Sequence, residues 1–402
     1  MLGYRSVGSH RYFLSTSSLL AAAVLLNACG SATDGTTAPR TGALSASQQS
    51  ASANRVDDGH QRPGAVYIET NGAAGNAIVA FHRAPDGALA PLATYGTGGA
   101  GIGGAVDPLQ SQFSVVLDED HDALFAVNAG SNQVSSFRVD ESGALTLAGT
   151  VSSGGTTPIS IAEHGHLLYV LNTSSNTVSG FRTAGNARLV ALPNSTRSLA
   201  SGASGAAAVR FTPDGRFLIV SERVSNRLEV FAVNENGRLG DPVVSPANGS
   251  ASFGFDITPH SQPVVSETQG SLTSYALNPL TSALTPITAS ISTHGAASCW
   301  VTITADGAFA YTTNAGSNFV SGFAISASGH LTALTANGRT GESGAGATPI
   351  DLDHVGARLL YVLNAGRGTI GQFTIGANGS LTAGTDAPAG APASGLQGIA
   401  AY

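Results

Sequence analysis

The chain has 402 residues, of which 42% are hydrophobic and only 11% charged; it holds 51 Gly and no Lys, and its formal charge is −7. Apolar content of that order offsets the entropy lost on folding, which excludes an intrinsically disordered chain. An acidic balance without basic clusters gives no footprint for a phosphate backbone or anionic headgroups, which excludes nucleic acid and lipid surfaces as direct partners.

Residues 1–28 carry Arg5 and Arg11, no acid, and an apolar run from Leu19 to Leu26 that is too short to span a bilayer and suits a signal-peptide core. The stretch Leu26-Asn27-Ala28-Cys29-Gly30 then resembles a bacterial lipobox, which implies cleavage before Cys29 and lipidation of its thiol. The expected location is the cell envelope, at the outer membrane facing the periplasm, with membrane contact only through that lipid. From Cys29 onward 16 Arg face 25 acids, a balance of −9. Residues 29–64 lack apolar periodicity and are rich in Ser, Ala, Thr and Gly, so they read as a flexible tether. Cys299 is the only other cysteine, which leaves no disulfide inside the remaining domain, 65–402.

That domain repeats one pattern of an apolar run, a polar loop, an alternating run ending on an aromatic residue, and a Gly turn. The closing aromatics are Phe81, Phe137, Phe181, Phe231, Tyr275, Phe323 and Phe373, separated by 56, 44, 50, 44, 48 and 50 residues. Eight residues after each Phe comes a Leu, at 89, 145, 189, 239, 331 and 381. In the copy from Pro158 to Leu192, four short strands separated by turns fit this spacing, and turns such as Thr212-Pro213-Asp214-Gly215 supply Asp and Gly where positive φ is needed. Four antiparallel strands in every 40 to 50 residues or so make a propeller blade, and seven copies make an all-β, seven-bladed β-propeller. The first copy lacks a first strand, whereas Gly398 to Tyr402 matches one. The C-terminal strand is therefore predicted to pair into blade 1, closing the ring and removing an open edge.

The segments LYVLNAG (Leu360 to Gly366), LYVLNTS (Leu168 to Ser174) and TPDGRFL (Thr212 to Leu218), with the recurring Gly-x-Leu-Thr turn, resemble the lactonase family of seven-bladed propellers. That family contains bacterial 6-phosphogluconolactonases and carboxymuconate-lactonizing enzymes. The resemblance implies a lactone hydrolase or cycloisomerase working without a metal or other cofactor on a small molecule in the central channel. The family's His and Arg positions are not matched here. Pro158-Ile159 stands where Pro-His is typical, Ala207-Ala208 where Arg-His is, and Asn314-Ala315 where Asn-Arg is.

Loops that enter first strands and leave second strands share one face of a propeller, so their side chains gather at one mouth. Second-strand ends carry Asn71, Asn128, Asn172, Asn314 and Asn364, a pattern broken by Glu222-Arg223 and Glu267. Glu222 and Glu267 are the candidate catalytic bases, and Arg223 the candidate stabiliser of a developing oxyanion. Trp300, Asn172 and the first-strand residues Arg210, Asp256 and Asp351 are the candidate ligand contacts, with Arg210 and Asp256 placed to pair between neighbouring blades. His121, His164, His166, His260 and His354 fall in or near turns on the opposite face, each in a different blade except His164 and His166, and two exposed imidazoles make only a weak site, so no metal is expected. Gly96-x-Gly98-x-x-Gly101 matches a dinucleotide fingerprint in letters only, because Asp107-Pro108 and renewed strands follow where a helix is required. Two functions stay open at this point. One is a monomeric lactone-processing enzyme; the other is a non-catalytic binding or scaffolding propeller for an envelope protein or a small ligand.

Overall fold

Short apolar runs bounded by Gly, Asn and Asp turns become strands, and hydrogen bonding sorts those strands into seven antiparallel sheets. The computed structural model describes residues 63–203 and 205–402. The expected signal peptide, Cys29 and most of the tether lie outside the described residues. Blade 3 shows the plan, running outward from Pro158–His164 through Leu167–Asn172 and Thr177–Ala184 to Arg188–Ala191. The innermost strands of blades 2 and 4 to 7 are Val115–Leu117, Ala206–Phe211, Ser252–Ile257, Ser298–Ile303 and Pro349–Val355. Blade 1 takes its innermost strand, Gln397–Ala401, from the end of the chain, paired antiparallel to Gly64–Glu69. The ring closes as predicted, one residue earlier at its start than position 65.

Each closing aromatic lies on a third strand with its ring in the core, none more than 4% exposed. Burying one such ring stabilises by roughly 1.5–3 kcal/mol relative to exposing it, so the period in the sequence is the core itself. A second device joins blades. Tyr67, Tyr169, Tyr311 and Tyr361 hold equivalent second-strand positions, and each hydroxyl donates to a turn carbonyl one blade further on. The acceptors are Gly143 at 2.8 Å, Gly237 at 2.9 Å, Gly379 at 2.8 Å and Gly87 at 2.8 Å. Those turn glycines sit at φ between +79° and +93°, a region closed to most side chains. The Gly-x-Leu turn thus both reverses the chain and presents a carbonyl to its neighbour.

Candidate functional site

Pairings such as Pro158 with Asn172 and Ser298 with Asn314 bring first-strand starts and second-strand ends to one face. Most joins that cross this face are short, for example residues 153–157 and 293–297, but blade 1 reaches blade 2 through residues 97–114. The end of that long join crosses the channel. Ser111 donates from Oγ to the Ile159 carbonyl (2.8 Å), and its own carbonyl accepts the Trp300 indole N–H (2.8 Å) and Gln397 Nε2 (3.2 Å). The Gln112 backbone N–H donates to the Ala207 carbonyl (3.1 Å), and its side-chain amide donates to the Val301 carbonyl (2.6 Å). Gly254 makes room for it, because a Cβ there would fall 2.3 Å from Gln112 Oε1. Phe113 lies under the Arg210 guanidinium, 4.6 Å from ring centre to Cζ. The segment leading into blade 2 is therefore tied to blades 1, 3, 4 and 6 and lies close against Gly254 of blade 5, and where a ligand was expected the channel carries the chain's own residues.

Sequence reasoning missed this plug. Its signal was present: the 56-residue interval from Phe81 to Phe137 is the longest of the six, and the surplus is the plug.

The predicted site residues fall into separate environments. Glu222 is buried and accepts hydrogen bonds from Ser225 and from Arg227 Nε (3.0 Å), and Arg227 also pairs with Glu229 at 3.1 Å. Glu229 is pushed up to about 8 by burial and by the neighbouring Glu222 carboxyl. Glu267 is buried as well, with hydrogen bonds from Ser271, Thr273, Ser290 Oγ (2.8 Å) and the Gly249 N–H (2.9 Å). Both acids occupy the position that Asn314 holds in blade 6, where that amide donates to Ser321 Oγ (2.8 Å) and accepts from Ser298 Oγ (2.5 Å). A carboxylate only accepts, so blades 4 and 5 surround it with donors and keep the same structural tie. Each acid is enclosed by the donors of its own blade and lies in a separate hydrogen-bonded cluster.

Asn172 is likewise buried, with its amide 3.3 Å from the Ser153 and Val170 carbonyls. Trp300 is buried edge-on against Phe253 at 5.2 Å. Arg210 and Asp256 do pair between blades, at 2.8 Å, and the other Asp256 oxygen accepts the Ile303 N–H at 2.9 Å. Asp351 is buried at a left-handed φ of 41°, and burial holds its carboxyl well above the usual range. Cys299 is also buried, which raises its thiol. His164 is engaged by Glu119 at 2.8 Å on the opposite face.

Arg223 is the exception. It is half-buried on the mouth side, its backbone N–H donates to the Gly205 carbonyl (2.7 Å), and its guanidinium donates to the side chain of exposed Gln110 on the plug. That contact brings it within electrostatic reach of Asp107, also half-buried, whose Oδ1 accepts Gln397 Nε2 at 3.1 Å. Burial pushes Asp107 up to about 7, against the lowering effect of the Gln397 amide, nearby backbone N–H groups and Arg223. An acid that titrates near neutrality beside a guanidinium can take and return a proton at a centre where negative charge develops. Reading Asp107-Pro108 only as an interruption of the Gly-rich stretch hid it.

Two cavities flank these loops. One of about 410 Å³ lies on the mouth side over blade 1, between Thr70, Asn71, Gly103, Gly104, Pro392 and Ser394. The other, of about 840 Å³, opens on the opposite face between blades 2 and 3, walled by Asp118, Glu119, Asp120, Asp122 and Asp140 with Arg138 and His166. No group of three or more His, Cys, Asp or Glu side chains among the described residues is arranged to hold a metal.

The family model described as lactonase, 7-bladed beta-propeller, matches residues 74–195 and 183–301. A 6-phosphogluconolactonase of Yersinia pestis is 27% identical over 177 residues, 42% of this chain and 53% of that protein. Another, of Serratia proteamaculans, is 25% identical over 174 residues, 41% of this chain and 53% of the relative. The chain thus matches about half the length of these curated relatives. A solved protein structure from Lactobacillus plantarum superposes with a TM-score of 0.68 at 18% identity, covering 85% of this chain and all of that one. The periplasmic gluconolactonase of Pseudomonas aeruginosa gives 0.66 at 18%, over 84% of this chain and 99% of the other. At such identities the structural likeness concerns the fold.

Proposed function

We propose that this chain, which belongs to the seven-bladed β-propeller lactonase family, hydrolyses a lactone at the channel mouth with Asp107 and Arg223 as the reacting side chains. The observation that carries the proposal is a half-buried carboxyl on the segment by which this join exceeds the others, bonded by Gln397 and within electrostatic reach of the guanidinium that grips Gln110 of the same segment; burial pushes that carboxyl up. Ionised Asp107 takes a proton from water while the water oxygen bonds to the lactone carbonyl carbon. Arg223 holds the oxyanion that forms. Collapse breaks the ring bond between the acyl carbon and oxygen, and the leaving oxygen takes the proton back from Asp107, giving the open hydroxy acid. The relatives named as 6-phosphogluconolactonases and a gluconolactonase support lactone chemistry.

The experiment is lactone hydrolysis by the chain and by Asp107→Asn, Arg223→Gln and Glu267→Gln over pH 5 to 9. Activity is expected to rise with pH through about 7 as Asp107 ionises, to fall in the first two variants and to persist in the third. Full activity in Asp107→Asn would refute the assignment.

A further inference from the structure

We infer that the lactone taken at this mouth is uncharged and carries an alkyl substituent. The inference rests on the hydrolase reading just given and adds the class of substrate. Among the described residues the exposed large apolar side chains are Leu92, Ile102, Val106, Leu147, Val190, Val224, Val244 and Leu280. Four of them, Leu92, Leu147, Val190 and Val244, lie on outermost strands, and Leu280 lies in a turn between third and fourth strands on the opposite face. The remaining three are on the mouth side. Ile102 and Val106 stand on the join that carries the plug, Val106 directly before Asp107, and Val224 directly follows Arg223 with its side chain over Gly205. Their exposures are 43%, 40% and 63%. Apolar area of that kind gains by covering a hydrocarbon substituent and nothing by facing a polyol or a phosphate.

The charges on the same face point the same way. A phosphoryl group is gripped by unneutralised Arg or Lys, and this chain has no Lys. Arg227 is shared by Glu222 and Glu229, Arg339 pairs with Glu342 at 2.5 Å, and Arg367 lies 3.8 Å from Asp386. Arg223 remains, and in the proposed reaction it serves the carbonyl oxygen. A phosphorylated lactone would bring its dianion to a face where Arg227, Arg339 and Arg367 are already matched by acids.

The test compares kcat/KM of the full chain for δ-decanolactone, D-glucono-1,5-lactone and 6-phosphogluconolactone, with Val106→Ser and Val224→Ser assayed beside it. The alkyl lactone is expected to exceed the phosphorylated one by about tenfold or more, the discrimination expected of a few methylenes in an apolar site. Each Val variant should raise KM for the alkyl lactone roughly three- to tenfold with kcat kept and with KM for gluconolactone unmoved. Equal or better turnover of the phosphorylated lactone, or KM for the alkyl lactone indifferent to both Val changes, overturns the inference and leaves the hydrolase reading standing. Turnover of none of the three overturns both.

Discussion

Residues 97–114 and residues 293–297 make the same step, from the outermost strand of one blade to the innermost strand of the next. The short join stays beside the blade it enters, where the Ala296 and Ala297 carbonyls accept the N–H groups of Gly316 and Ala315 at 3.0 Å. The long join leaves its blade and is held by Ile159, Ala207 and Val301 across the channel. Both leave the repeat frame intact. The blades need only a few residues to connect, so length beyond that is free to build a site on a rigid support.

The severest way to break this comparison is to remove the frame. Deleting residues 397–402 strips blade 1 of its innermost strand and takes Gln397 from the plug. The loss should exceed the net stability of about 5–15 kcal/mol typical of domains, and circular dichroism should show no cooperative thermal transition. Breaking the plug's chemistry alone is gentler on the fold. Asp107→Asn should lower lactone turnover by about 10²–10⁴-fold, the usual contribution of a general base, with the melting curve retained.

A smaller effect sharpens the contrast at blade 1. Glu69 is fully buried at a position where blades 3 and 7 carry Leu171 and Leu363, and burial lifts it to about 8 against the hydrogen bond from Asn76. Its folded pKa lies above its unfolded one, so the folded state keeps a proton that the unfolded state has lost. Stability should therefore fall as pH rises from about 4.5 to about 8 and level off beyond, by at most about 1.4 kcal/mol per unit. Denaturant melts of Glu69→Gln should show a shallower slope, the remainder coming from raised groups such as Glu229, and an unchanged slope would place the titration elsewhere. The mildest change is Tyr169→Phe, which leaves the Gly237 carbonyl without its donor and should cost about 1–3 kcal/mol by the same melts, with lactone turnover unaffected.

Much of the frame was legible because its determinants are local and recur. The seven aromatics, the Gly turns and the orphaned first strand of blade 1 each follow from a pattern a few residues long, and so does the pairing of Arg210 with Asp256. The site was less legible. Glu222 and Glu267 read as rim charges because the pattern shows them replacing Asn, whereas their burial depends on Arg227, Ser271, Ser290 and Gly249, donors from several loops. The path of the plug depends on the contact of Gln112 with Val301, residues far apart in sequence. Spacing registers that extra residues exist but not where they go, so the candidate set held Arg223 and left out Asp107 on the plug.

Closure of the ring has a consequence in time. Ala65 and Tyr402 exchange backbone hydrogen bonds at 3.2 and 3.0 Å, and Arg83 Nε donates to the Tyr402 carbonyl at 2.7 Å. Contacts between the two extremities of a domain carry the largest loop-closure entropy and form late. Six blades can assemble from neighbours in sequence while blade 1 waits for its innermost strand, so the seam inside blade 1 should govern the folding rate. If the seam is also the first part to open, the lifetime of the folded ring under proteolysis or heat is set by how often those few bonds part.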